Sequence, residues 1–435
     1  PPNRAALPAT SPSDEVEIAL QATATETAIL PGKATRTWSY RGQDLAGGAG
    51  VVEHIPGSYL GPILRLRQGQ KVRVRFTNEL DEPSIVHWHG LHVPEEADGH
   101  PRLAIDPGET YQYEYTVHNR AGTYWYHPHP HGRTGPQVLY GLAGLLLVSD
   151  DEEAALGLPA GGTPGGEYDV PLVLQDRTFD RDNQFVYVSS PMEQMMGYLG
   201  ERILVNGRPD YVLPVAARAY RLRLLNGSNS RIYKLAWHDG TPLTVIATDG
   251  GLLERPVQRQ YVMLSPGERV ELWADFSGRG RGEELRLQSL PFFGGEVGGM
   301  MGGGMGRMMA SEGALPNGIE FTVLSVHIDR EADSTSTLPE RLSEPRFHRV
   351  EDAVNHRQPR TFEIEMQRMV WLLNGRTWEM EAVARDEIVR LGDLEVWEFV
   401  NQSGMMTMAH PMHVHNVQFQ VLERQVLPPL QETWD

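Results

Sequence analysis

Apolar and polar residues alternate one for one along much of this chain. Leu64 and Leu66 alternate with Arg65 and Arg67, Val72, Val74 and Phe76 with Arg73 and Arg75, and Tyr220, Leu222 and Leu224 with Arg221 and Arg223. A period of two sends successive side chains to opposite faces of an extended strand. Each run therefore predicts a half-buried antiparallel strand, apolar face inward and arginine face in water. Turns rich in glycine and proline separate the runs, as in sandwiches and barrels. The 31 prolines and 45 glycines among 435 residues favour a loop-rich β protein over a helical one. That length predicts two or three domains.

The pattern also repeats at long range. Lys71-Val72-Arg73-Val74-Arg75-Phe76-Thr77-Asn78 resembles Tyr220-Arg221-Leu222-Arg223-Leu224-Leu225-Asn226, and both resemble Leu394-Glu395-Val396-Trp397-Glu398-Phe399-Val400-Asn401. Matching turns precede the latter two, at Asn206-Gly207 and Asn374-Gly375. A second shared element follows the first two, Asp106-Pro107-Gly108-Glu109 and Ser265-Pro266-Gly267-Glu268. Three sandwich units are expected, over residues 1–152, 165–330 and 345–435, with linkers at 151–168 and about 329–360. The Pro-Gly element lies 29 residues past the anchor asparagine in the first unit and 40 past it in the second. From Asn401 it falls due near 430–441 or later, while the sequence ends at Asp435. The third unit is therefore expected to be incomplete at its C-terminus, with the native protein continuing beyond Asp435. The stretch from Gly294 to Met309 has eight glycines and five methionines and no usable periodicity, and predicts a mobile loop.

Charge and composition narrow the partners. A net charge of -18 disfavours nucleic acid and anionic membranes. Zero cysteine removes disulfides and thiolate ligands from these residues without fixing the compartment. No run of about 20 apolar residues is present, so no membrane-spanning helix is expected. The sequence opens Pro1-Pro2-Asn3, without Met or a basic-apolar leader, as a mature or otherwise trimmed chain would.

Three histidine clusters carry the chemistry. They read His87-Trp88-His89-Gly90, His127-Pro128-His129-Pro130-His131-Gly132 and His410-Pro411-Met412-His413-Val414-His415. On a strand, residues i and i+2 share a face, so each cluster can offer two imidazoles side by side. One strand histidine is usually packed or solvated; three paired clusters are hard to explain that way. Imidazole suits zinc, copper, iron and nickel, and seven histidines imply several ions close together.

With their flanking residues, including Gly122-Thr123-Tyr124-Trp125-Tyr126 and Gly141-Leu142-Ala143-Gly144, these clusters resemble three of the four copper motifs of the multicopper oxidases, the laccase family. The stretch through Asp98-Gly99 and His131-Gly132-Arg133-Thr134-Gly135 is most similar to the bacterial copper-resistance branch. The fourth motif, a C-terminal His-Cys-His, is absent. The resemblance implies an all-β protein of three cupredoxin-type Greek-key sandwiches. It also implies four copper ions in the complete protein, one type 1, one type 2 and a type 3 pair.

Residue by residue, the resemblance gives His87 and His413 to the type 2 copper and His89, His127, His129 and His415 to the type 3 pair. His410 falls to the type 1 site. The remaining ligands, including the type 1 cysteine, are missing, so activity is expected to require the absent C-terminal segment. Asp98 would orient water and relay protons, or simply form an Asx turn in Ala97-Asp98-Gly99. His131 would lie beside the site or at the surface. Met300, Met301, Met305, Met308 and Met309 would form a cuprous-ion or substrate loop, thioether being a soft ligand, or else a plain insertion. The implied activity is oxidation of phenols, aromatic amines or Cu(I) with reduction of dioxygen to water, by an exported monomer of the periplasm or cell exterior. The alternatives are a dedicated cuprous oxidase and a copper-free scaffold of the same fold, as in some cell-division proteins. A copper nitrite reductase fits less well, because its first domain would carry a cysteine.

Overall fold

The computed structural model describes residues 14–47, 50–160, 166–188, 193, 197–292, 315–332, 335–368, 370–401 and 409–426. They build an almost wholly β architecture of five sheets. In the first unit, a four-stranded sheet of Thr35–Ala46, Glu15–Thr27, Lys71–Glu79 and Thr110–Thr116 faces a five-stranded one. The latter runs Val52–Glu53, Ile63–Arg67, Gly144–Ser149, Gly122–Pro128 and Val86–His89. Val72, Val74 and Phe76 are fully buried between the sheets while Lys71, Arg73 and Arg75 face water, as the alternation requires. The second unit packs two further sheets around Leu222, Leu224, Leu235 and Val326. The third is a three-stranded sheet, Val370–Leu373, Arg360–Gln367 and Trp397–Asn401. Several of its apolar side chains lie in solvent, among them Val383, Leu391, Phe419 and Val421.

The repeat has a structural cause. In each unit the repeated strand pairs in parallel with the unit's opening strand: Glu15 opposite Lys71, Asp169 opposite Arg221, and Arg360 opposite Trp397. The strand closes on an asparagine whose amide ties up the next loop. Asn78 Nδ2 donates to the carbonyls of Glu82 and Ile105, and Asn226 Nδ2 to those of Arg231 and Leu264. The Pro-Gly turn docks on the same residue, through Gly108 N–H to the Asn78 carbonyl at 2.7 Å and Gly267 N–H to that of Asn226 at 2.9 Å. The Asn-Gly turns recur for the same reason. Asn206 and Asn374 both sit in the left-handed region, at φ 52° and 50°, where asparagine is tolerated.

Two expectations are corrected. The strand Ala219–Asn226 is buried on both faces. Arg221 and Arg223 do not reach water, because the first unit and the short helix that follows it cover them, and Glu153, Asp169 and Glu271 supply counter-charges. Arg221 lies 2.7 Å from Glu153 and 2.6 Å from Glu271, and Arg223 lies 2.6 Å from Asp169 and 2.9 Å from Glu271. Thr123 of the first unit donates to Glu271 at 2.7 Å. Nor is the expected linker at 151–168 merely a spacer. Asp150 caps a short helix, Asp151–Ala155, by accepting from Glu153 N–H, and this turn delivers the buried Glu153 to Arg221.

A buried ion network stands only while every charge keeps its partners, and removing one costs far more than removing an exposed pair. Replacing Glu271 by Leu strips Arg221 and Arg223 of a shared carboxylate and should cost about 3–5 kcal/mol. Thermal unfolding of the metal-free protein checks this. Lys33→Ala, which deletes the exposed Lys33–Asp182 pair, should leave the same transition unmoved.

Candidate metal centre

The centre begins with the antiparallel pairing of Val86–His89 and Gly122–Pro128. His87 lies directly opposite His127, and His89 opposite Trp125. His129 lies past the strand end, yet its N–H still reaches the Ile85 carbonyl at 2.9 Å and keeps it in register. The turn after Asp98 presses against this strand. A Cβ on Gly99 would come within 2.1 Å of the Val86 carbonyl, and its φ of 83° suits glycine.

His413 and His415 arrive from the third unit on irregular backbone, not on a strand. The expectation that strand alternation would present them is corrected. Their loop is seated on the first unit instead, by Val93 N–H to Asn416 Oδ1 at 3.2 Å and Gln418 Nε2 to the Gly90 carbonyl at 2.8 Å. The two imidazoles stack face to face on the first unit's pair. His413 lies on His89 with ring centroids 3.8 Å apart, and His415 on His87 at 3.9 Å. His87 Nε2 and His413 Nε2 are 3.2 Å apart, and His89 Nδ1 and His127 Nε2 are 3.3 Å apart. His129 closes the group, its ring 5.4 Å from His87 and 5.1 Å from His415.

Asp98 fixes the tautomers. A carbonyl can only accept, so His87 Nδ1–H donates to the Asp98 backbone oxygen at 2.7 Å, and His415 Nδ1–H donates to Asp98 Oδ2 at 2.7 Å. His127 Nδ1–H donates likewise to the Pro128 carbonyl at 2.9 Å. The Nε2 lone pairs of all three remain available to a metal. Asp98 does not serve as a simple turn residue, since its carboxylate reaches across to the third unit.

Electrostatics keep the imidazoles neutral. Burial lowers the pKa of His87 and His410 and holds His89 and His127 well below the ordinary histidine value. Burial and neighbouring imidazoles bring His129 down to about 4 and His413 to about 2. Burial alone would raise Asp98, but hydrogen bonds from His415 and His87 hold its carboxyl below the usual range.

This donor set fits a group of metal ions. His87, His89 and His127 form one set of ligand atoms within 4.8 Å of one another, and His87, His413 and His415 a second. Asp98 Oδ1 and His410 Nε2 are buried without a hydrogen-bond partner, the state of polar atoms awaiting a ligand. His410 stands apart from both sets, edge-on to Trp371 at 4.6 Å. His131 packs at the surface against Trp378 at 4.9 Å. Met300, Met301, Met305, Met308 and Met309 lie outside the described residues.

Family models described as multicopper oxidase match residues 39–153 and 353–434. A multicopper oxidase of Staphylococcus aureus is 30% identical over 367 residues, which span 84% of this chain and 70% of that protein. The chain belongs to the multicopper oxidases. A laccase of Bacillus stratosphericus is 32% identical over 407 residues, covering 85% of this chain and 75% of the laccase. The crystal structure of McoA, a multicopper oxidase from the hyperthermophile Aquifex aeolicus, superposes with a TM-score of 0.77 at 34% identity, over 95% of this chain and 83% of McoA. The all-β sandwich fold, the oxidase class and a copper cofactor follow from this membership. Among the described residues no helix is long and apolar enough to cross a membrane.

The oxidase's second unit also touches the centre, which the sequence did not disclose. The turn at Gly267 lies against His89, with a Cβ there falling 3.3 Å from its Cε1. Arg269, nearly buried, donates to the carbonyls of Thr123 and Gly267 at 3.0 Å each and lies 2.9 Å from Asp249. The Pro-Gly turn was visible as a repeat, but nothing local marks which repeat copy lands on a histidine.

The neutral imidazoles set a pH dependence. Histidines whose folded pKa is depressed contribute full stability above the ordinary 6.5 and lose it as pH falls toward the folded value. Glu268, pushed up to about 7 by burial, works oppositely, losing stability as pH rises from 4.5. Six lowered imidazoles outweigh one carboxyl. The metal-free oxidase should therefore unfold at a clearly lower temperature at pH 4.5 than at pH 7. Glu268→Gln should widen that gap. Calorimetry at the two pH values reads both.

Proposed function

We propose that the oxidase takes single electrons from a phenol, an aromatic amine or cuprous ion and delivers them to dioxygen, which leaves as water. The convergence of six imidazoles from two units around Asp98 carries this reading. In it, His87 and His413 hold one copper ion, His89, His127, His129 and His415 contribute to a copper pair, and His410 contributes to a further copper site, four ions in all. Bound copper supplies one-electron chemistry toward the substrate and dioxygen reduction at the shared centre.

The protein's own residues supply position and protons. Asp98 holds His87 through its carbonyl and His415 through Oδ2, so that both present Nε2 inward. Its carboxylate, held in the anionic form by the two imidazoles, would orient water and so relay the protons that dioxygen reduction consumes. The short turn Glu95–Ala97 leads from Asp98 to the exposed Glu95 and Glu96, a route for protons from solvent. The stacked rings of His89 with His413 and of His87 with His415 cover one another's faces, and Trp125 lies 4.2 Å from His127, while His413 keeps an exposed edge. We place it in the periplasm or outside the cell, as a monomer.

Elemental analysis and oxygen uptake on the full-length protein test this reading. His413→Ala should lower the copper content and abolish uptake. Asp98→Asn should keep most copper yet slow uptake by about 10–100-fold, the usual effect of losing a residue that orients ligands. A protein that binds no copper would leave the scaffold reading, and one that carries its copper but consumes no oxygen with a phenol or with Cu(I) would exclude the oxidase reading. Removal of residues 294–309 separates the substrates. If the methionines serve cuprous ion, turnover of Cu(I) should fall more than turnover of a phenol.

A further inference from the structure

Behind the histidine face lies a second feature that copper ligation does not use. The strand Val86–His89 sends His87 and His89 to one face and Trp88 to the other, into the core of the first unit. Trp88 is wholly buried and is bonded through the backbone to both histidines. Its ring centroid lies 5.3 Å from Tyr113, and Tyr113 lies 4.9 Å from Tyr111, which is only partly buried. Tyr115 also touches Trp88, at 5.6 Å, but is buried and leads no nearer to solvent.

Packing alone accounts poorly for this composition. Apolar residues would fill the same space without polar atoms. Trp88 Nε1 instead has no hydrogen-bond partner, and such a buried group carries a cost on the order of 1–3 kcal/mol. Indole and phenol differ from other core side chains in being readily oxidised by one electron.

We propose that Trp88, Tyr113 and Tyr111 form an internal path that drains oxidising equivalents from the histidine centre to the surface. The proposal rests on the oxidase reading, since dioxygen chemistry starved of electrons leaves a dioxygen-derived oxidant at the imidazoles. The oxidant gains one electron from Trp88, whose indole becomes a radical cation without needing to lose a proton. Trp88 regains that electron through Tyr113 from Tyr111. Tyr111 gives up its phenolic proton and becomes a neutral radical. Its Oη, on a partly exposed ring, donates to the Glu96 carbonyl at 2.7 Å and releases its proton to solvent water. The buried phenol of Tyr113 accepts from Val86 N–H at 2.8 Å, and burial raises its pKa, so the radical does not rest there. A soluble thiol or phenol then returns a hydrogen atom to Tyr111. The histidines and Trp88 are spared.

Copper(II)-loaded protein given small doses of hydrogen peroxide, without reducing substrate, tests the path. Peroxide delivers the oxidant directly, so the result is readable even if oxygen uptake, measured separately, fails. In the wild type, frozen samples should show a tyrosyl radical by electron paramagnetic resonance, and mass-spectrometric mapping should find oxidation concentrated on Tyr111. Tyr111→Phe, which keeps the ring, should lose the signal and raise oxidation of Trp88, His87 and His89 severalfold. Tyr111→Trp should restore protection, and Tyr115→Phe should match the wild type. Unchanged damage in Tyr111→Phe overturns the proposal. So does an equal effect of Tyr115→Phe, or the same Tyr111 oxidation in copper-free protein.

Discussion

The histidine centre depends on one residue reaching in two directions. Asp98 uses its backbone carbonyl to fix His87 of the first unit and its carboxylate to fix His415 of the third. Both bonds go to Nδ1, so both rings turn Nε2 inward, and the two stack at 3.9 Å. The register of the two units is thus set by a buried charge whose stability comes from its histidine partners. Gly99 permits the close approach, since any side chain there would strike the strand carrying His87. The donor geometry is set before any ion arrives, as precise ligation demands.

The second unit supplies no imidazole to the centre, yet it holds the frame. Its Arg221 and Arg223 lie between its own Asp169 and Glu271 and Glu153 of the short helix that follows the first unit. The strand that brings Thr123 to this network carries His127 four residues later, so the clamp and the centre share one rigid element. Arg269 grips the Thr123 carbonyl from the other side. A shift of the second unit would therefore tilt the strand bearing His127. A network with matched buried charges permits few alternative dockings, because each would strand a charge.

Most of this was legible where the rule is local. Alternation located the strands Ile63–Arg67 and Lys71–Glu79, although each pairs in parallel with one neighbour where antiparallel pairing was expected, and the paired histidines lie together in the structure. The repeated asparagines and Asn-Gly turns reported real hydrogen bonds. The reading failed where burial is decided by another unit. Arg221 and Arg223 look like a wet face because arginine usually is one; only the first unit and the helix after it, with Glu153, make them interior. His413 and His415 were rightly grouped for the wrong reason. Their shared direction comes from a loop tied to Asn416 and Gln418, and no period encodes that. Gly267 against His89 was illegible for the same cause.

The alternation that revealed the strands also explains why the centre has a back side. A strand carrying ligands at His87 and His89 must place one residue between them on the opposite face, inside the sandwich. Trp88 fills that position and meets Tyr113 from the facing sheet and Tyr126 from the neighbouring strand, at 5.3 and 5.7 Å. The cross-strand partner of His87 is His127, and that of Trp88 is Tyr126, so each face keeps its own chemistry. The converging imidazoles thus sit one peptide from Trp88 and the rings of Tyr113, Tyr115 and Tyr126 around it. That packing stiffens the ligand strand, because large rings wedged between two sheets leave it little room to slide. The same closeness would expose the core to an oxidant formed at the imidazoles, so in the proposed function rigidity and oxidative exposure follow from one feature of strand geometry.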